Sequence, residues 1–167
     1  MIVLGCDPGW EQSSLVVCVD GVIVLHLFEP NTDVLAYLSA FIRLDAILVI
    51  EQIESMGMAV GKTTFETVFW SGRFAQAWLP RRFERVTRHA VKLHLCGQRN
   101  AKDANIRQAL IDRFGPSTEQ AIGKKAAPGP LYGVTAHKLS ALAVALTWYD
   151  QHKGDGDALR PGVLAEF

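Results

Sequence analysis

The chain has 167 residues, 49% hydrophobic and 20% charged, which suits a single soluble globular domain with a real core. No apolar run reaches the ~18 residues that cross a bilayer, and the N-terminus lacks the basic flank and cleavage site of a signal peptide, so no membrane partner is expected. The zero net charge hides a segregation: residues 1–60 hold eight acids and one base, residues 61–130 thirteen bases and five acids.

The chain opens on an apolar, strand-like run, Ile2-Val3-Leu4-Gly5-Cys6, that ends in a lone carboxylate, Asp7, and turns at once through Pro8-Gly9. Residues 14–19 form a second strand. Asp20-Gly21 is a two-residue hairpin signal, and residues 22–28 return as a third strand. Pro30-Asn31-Thr32-Asp33 then starts a helix, with Asn31 or Thr32 as its cap and Val34, Leu35, Leu38, Phe41 and Ile42 as its apolar face. Ala46-Ile47-Leu48-Val49-Ile50-Glu51 is another apolar strand ending in one acid.

Residues 52–61 show no period and read as a loop. Thr63-Thr64-Phe65-Glu66 resembles a capping box and opens a helix over 63–78. That helix spreads Phe65, Phe69, Trp70, Phe74 and Trp78 over more than one face, with positions 65, 69, 72, 73 and 76 on one side. The spread suits either core packing or a second buried face such as a homodimer contact. Residues 85–95 alternate and read as a strand, 102–114 as a helix, 116–130 as an exposed, mobile loop, and 134–149 as a long apolar helix. The order β-β-β-α-β-α-β-α-α predicts an α/β fold with a five-stranded mixed sheet, three antiparallel strands then parallel ones, flanked by helices. Residues 1–152 form the expected domain and 153–167 a polar tail. Cys6, Cys18 and Cys96 read as buried thiols in a reducing, cytoplasmic setting.

Two strands that each deliver an acid from their last residue suggest neighbours with a shared metal-binding end. A buried strand carries an ionised Asp only when something offsets its desolvation, and a divalent cation is the commonest such partner. The acidic first third beside a basic middle suits an enzyme that binds cations in one place and phosphates in another. The bland alternatives are a strand-end acid that caps a helix or meets an Arg, and opposite charges that neutralise each other across the surface.

Taken together, Gly5-Cys6-Asp7-Pro8-Gly9, Val49-Ile50-Glu51-Gln52 and His137-Lys138-Leu139-Ser140-Ala141-Leu142-Ala143 resemble the RuvC family of Holliday junction resolvases, within the ribonuclease H-like superfamily. The resemblance covers roughly residues 1–150 and is closest to the bacteriophage-type members, which residues 60–67 and 101–107 also resemble. It implies a homodimeric endonuclease that uses two Mg²⁺ or Mn²⁺ ions to cut four-way DNA junctions by paired nicks. Asp7 would bridge the ions, Glu51 would hold one, and His137 would bind metal or act as general base. Ser140 stands where the family has its final carboxylate. Three readings follow: a deliberately inactivated variant, a natural weakened nuclease, or a site that Asp103 completes from the preceding helix.

For DNA, the resemblance places Lys92 and Lys102 near the family's substrate-contacting lysines. Arg81, Arg82, Arg85 and Arg88 would add phosphate contacts, Lys124 and Lys125 would order on a strand, and Met56 and Met58 would wedge into the open junction. Competing readings are a ribonuclease acting on RNA–DNA hybrids, an actin-like nucleotide-binding module, and a junction-binding protein without catalysis.

Overall fold

The computed structural model describes residues 1–54, 57 and 59–154. Strands β1 (Ile2–Asp7) and β2 (Gln12–Val19) pair antiparallel, with Asp7 opposite Ser14, and β3 (Val22–Pro30) returns along β2. The hairpin works because Asp20 and Gly21 both take positive φ, 50° and 79°, the conformation that matches strand twist in a two-residue turn. Strand β4 (Ala46–Gln52) lies parallel to β1 on its other side, and β5 (Phe83–Thr87) lies parallel to β4. The resulting order, β3-β2-β1-β4-β5, is the mixed sheet expected from the sequence, with β1 and β4 at its centre.

Alternation sends successive side chains to opposite faces. Leu4, Cys6, Leu48 and Ile50 pack against α1 (Asn31–Phe41) and α2 (Lys62–Trp78), where Val34, Leu38, Phe74 and Trp78 complete a core. Val3, Val16 and Val49 face the second core, built with α3 (Arg88–Cys96), α4 (Asp103–Phe114) and α6 (Ala136–His152). Helix α6 is buried without a break over residues 141–148. It crosses β1 at Gly5, where an added Cβ would stand 2.1 Å from the Ala141 carbonyl oxygen and 2.8 Å from the Ala145 Cβ. Only a residue without a side chain fits that crossing.

Residues 85–95 are not one strand. Strand β5 stops at Thr87, whose hydroxyl accepts the Ala90 amide at 3.1 Å and so caps α3; Gly97, at φ 71°, closes it. Val91 is buried and Leu93 exposed, a helical rather than an alternating distribution. Residues 116–130 are not a featureless loop either. Ser117 caps a short helix, α5 (Thr118–Ile122), and β6 (Gly123–Lys124) pairs with β7 (Ala127–Pro128), with Ala121 fully buried beneath them.

Helices α1 and α2 begin near the expected positions but, among the described residues, without the expected side-chain caps. Asn31 is instead buried: its Oδ1 accepts the Ser13 hydroxyl at 2.6 Å and its Nδ2 donates to the Gly9 carbonyl at 3.0 Å. The Gly9 amide donates to Ser13 Oγ at 3.0 Å, so a small network fixes the turn that follows Asp7. Met56, Met58 and the tail beyond residue 154 lie outside the described residues. Among the described residues no helix is long and apolar enough to cross a membrane.

Candidate functional site

Asp7 ends β1, and Glu51 is the next-to-last residue of β4. The parallel register runs through Cys6 and Ile50, so the two acids stand abreast at one rim of the sheet, on the face covered by α6. Their carboxyl groups lie within hydrogen-bonding reach of each other, and both hold protons more tightly than usual. For Asp7 the main cause is burial. A hydrogen bond with Glu51, the charge of Arg88 and a hydrogen bond with Ser140 pull it part of the way back. For Glu51 burial comes first and the charge of Asp7 second, again opposed by Arg88. Two like charges taken out of water together cannot both ionise cheaply, so the pair retains a proton that a bound cation would displace.

The close crossing at Gly5 sets the first turns of α6 over this pair. Ser140 Oγ lies within hydrogen-bonding reach of Asp7 and accepts from Arg88 Nη1 at 3.3 Å. The same Nη1 is 3.5 Å from Glu51 Oε1, and Nη2 is 2.6 Å from Asp103 Oδ1. Arg88 is therefore not a solvent-facing phosphate contact in this structure; its guanidinium sits inside the acid cluster. Asp103, at the start of α4, reaches the cluster through it.

His137, one helical turn before Ser140, is exposed, and its ring stacks on Phe28 at 4.7 Å with an interplanar angle of 8°. Phe28 lies opposite Ser14, and Ser14 opposite Asp7, so this stack stands on the β3 side of the acids, about two strand spacings or ~10 Å along the sheet. The expected trio of Asp7, Glu51 and His137 is thus only a pair in direct contact. Among the described residues no group of three or more His, Cys, Asp or Glu side chains converges as a metal-ligating set.

Sequence reasoning missed Ser14. It is fully buried, its Oγ has no hydrogen-bond partner among the described residues, and it faces the same side of the sheet as Asp7. An orphaned buried hydroxyl is costly, and this one adjoins Asp7 across the β1–β2 pairing, with Glu51 on the far side of β1. These donors are all hard oxygens, and they fit one divalent ion such as Mg²⁺ or Mn²⁺ at Asp7 and Glu51. For a second ion the fit is poor, because a neutral hydroxyl and a guanidinium stand where further carboxylate oxygen would be needed.

The basic residues divide by position. Arg81 donates from Nε to the Ile42 carbonyl at 3.1 Å and lies 3.8 Å from Asp45, and Arg82 pairs with Glu84. Both sit where β4 and β5 begin, at the end of the sheet away from Asp7 and Glu51. They are anchored there rather than gathered at the site. Arg85 is exposed on the edge strand β5, and Lys124 and Lys125 are exposed on the small β6–β7 hairpin. Lys92 lies one turn beyond Arg88 on α3, and Lys102 directly precedes Asp103, so these two flank the cluster. A cleft lined by Glu54, Thr87, His89, Leu93, Arg99 and Asn100 opens beside Arg88.

No protein-family model matches the chain, and no curated protein matches it. Among solved structures the chain is similar to Thermus thermophilus RuvC, at 19% identity and a TM-score of 0.57 over 93% of this chain and 97% of that one. It is also similar to T. thermophilus RuvC in complex with Holliday junction substrate, at 20% identity and a TM-score of 0.55 over 92% and 96%. Both are Thermus proteins and neither is of the bacteriophage type that the sequence motifs resemble. At this identity the likeness establishes the fold: the chain has the RuvC-like arrangement of the ribonuclease H-like folds.

Proposed function

We propose that this chain binds four-way DNA junctions as a homodimer and nicks them by metal-dependent phosphodiester hydrolysis, with cleavage slowed by Ser140. The observation that carries the reading is the Asp7–Glu51 pair, abreast at the sheet rim beneath Ser140. A bound Mg²⁺ or Mn²⁺ supplies the charge that offsets the two carboxylates and the polarisation that hydrolysis needs. The chain's own residues do the rest. Asp7 and Glu51 hold the site's negative charge at a fixed rim, and Ser140 accepts from Arg88 beside them. Hydrolysis joins the oxygen of water to phosphorus and breaks one P–O ester bond, while a proton passes from the water to the departing oxygen. His137 is the general base in this reading, and it reaches the site by leaving its stack on Phe28. Lys92 and Lys102 flank the cluster and hold the DNA backbone, with Arg85, Lys124 and Lys125 as outlying phosphate contacts.

The dimer face in this reading is the outer side of α2, where Phe65, Val68 and Phe69 are 64%, 50% and 59% exposed, an apolar stripe that water alone does not favour. The domain ends near residue 152, the setting is cytoplasmic, and a bacteriophage relationship rests on sequence motifs alone. The neutral Ser140 and the guanidinium within the acid cluster favour a second reading, in which the chain binds junctions without cutting them.

The test is a cleavage assay on a labelled four-way junction, with the chain and its Ser140→Asp variant, in Mg²⁺ and in Mn²⁺. Restoring the carboxylate should raise cleavage on the order of a hundredfold, the usual size of a lost charge-stabilising group. If both versions bind the junction and neither cuts it, the second reading stands and the nuclease assignment falls.

A further inference from the structure

Arg88 is a strong cation inside the acid cluster, and three elements fix its place. Its nitrogens meet Glu51 Oε1 on β4 at 3.5 Å, Ser140 Oγ on α6 at 3.3 Å and Asp103 Oδ1 on α4 at 2.6 Å. The Thr87 cap fixes the root of the side chain at the start of α3, and the side chain is only 23% exposed. Fully ionised, Asp7, Glu51 and Asp103 against Arg88 leave two negative charges, which one divalent ion neutralises. The fully buried Ser14 hydroxyl, without a partner among the described residues, adjoins Asp7 on the side away from Glu51. Arg88 marks the other side.

We propose that Arg88 stands in for a second metal ion. The site binds one divalent cation at Asp7 and Glu51, and the guanidinium supplies positive charge on the Ser140 side. Asp103 holds the outer edge of the fork until a substrate arrives. Its side chain is 79% exposed, so the pair is weak and exchangeable, and a phosphate oxygen presents the same geometry to the fork as a carboxylate does. The phosphate role rests on the junction-nuclease reading above; the metal count does not.

Calorimetric titration of the full chain with Mn²⁺ alone, paired with electron paramagnetic resonance of the bound ion, tests this without DNA. The chain should bind one Mn²⁺ with the spectrum of an isolated ion. Arg88→Gln removes a positive charge from the ion's neighbourhood and should tighten Mn²⁺ binding about tenfold or more. Arg88→Lys, which keeps the charge, should stay near the parent affinity and also guards against a fold lost with the side chain. The double variant Arg88→Gln with Ser140→Asp should take two ions with an exchange-coupled spectrum. Two ions in the parent chain, or an affinity that Arg88→Gln leaves unchanged or weakens in a folded protein, would overturn the proposal. A chain that shows the expected Mn²⁺ behaviour but ignores junctions would keep the metal assignment and sink the nuclease reading. One that cuts junctions with two ions bound would do the reverse.

Discussion

Gly5→Ala would place a methyl group where α6 crosses β1. The new carbon would meet the Ala141 carbonyl oxygen at 2.1 Å and the Ala145 Cβ at 2.8 Å. Both obstacles belong to a helix that is fully buried there, so no flexible side-chain end can swing aside. Relief to van der Waals distance requires α6 to retreat by about 1 Å, and overpacking of this kind costs about 1–3 kcal/mol. We expect the upper end, because β1 lies between both cores and cannot retreat in the opposite direction. The site suffers separately: Ser140 precedes Ala141, and a displacement of about 1 Å at catalytic distance costs on the order of a hundredfold. Equilibrium urea unfolding measures the first effect, and the junction cleavage rate of the folded variant measures the second. Gly72→Ala is the control. Gly72 is an exposed residue of α2 with no described atom within 4 Å of an added Cβ, and the change should stabilise by about 0.5–1 kcal/mol. A Gly5→Ala protein within about 0.5 kcal/mol of the parent, with an unaltered cleavage rate, would refute the crossing as the device that builds the site.

The acid pair also makes stability depend on pH. Both carboxyls are raised in the fold above their unfolded values, chiefly by burial, so the folded chain binds more protons than the unfolded one. Their contribution is fully present below the ordinary carboxylate range and is lost as pH rises through the folded pair, at about 6 and about 8. The melting temperature of the metal-free chain should therefore fall over this window, Mg²⁺ should restore it, and Glu51→Gln should flatten the slope. Asp150, where hydrogen bonds from Arg113 and His94 outweigh burial and hold the group down to about 2, titrates well to the acid side and does not mimic the effect. A slope that survives Glu51→Gln would assign it to other groups. For the dimer, Phe65→Ser combined with Phe69→Ser should yield monomers in sedimentation equilibrium with little loss of stability, since both rings are exposed within one chain; a variant that stays dimeric would move the interface elsewhere.

The sheet was legible in the sequence because its signals are local. The Asp20-Gly21 turn and two apolar runs ending in Asp7 and Glu51 determine four of the five strands. The β5–α3 junction was not, since Val86, Val91, Leu93 and Leu95 fit an alternating strand about as well as a helix. The hydroxyl of Thr87, used here as a cap, looks the same in either. Residues 116–130 look unstructured because α5 is a little over one turn long and carries few apolar residues. Arg88 read as one more basic surface residue; its inward role depends on α4 and α6 bringing Asp103 and Ser140 together, from 15 and 52 residues away in the chain. Ser14 left no signal, because a serine in a strand looks the same whether its hydroxyl is satisfied or orphaned. The Asn31–Ser13–Gly9 network was hidden for a related reason: an Asn after Pro30 signals a helix cap, and only the folded turn shows that it fastens the loop behind Asp7 instead.

The most direct test is a side-by-side binding titration of a four-way junction and a linear duplex of equal arm length and sequence, at one fixed salt concentration. Junction affinity should exceed duplex affinity on the order of a thousandfold, the lower range for specific over non-specific DNA binding. Equal affinities would contradict the central claim and leave a RuvC-like fold whose paired acids serve some other chemistry.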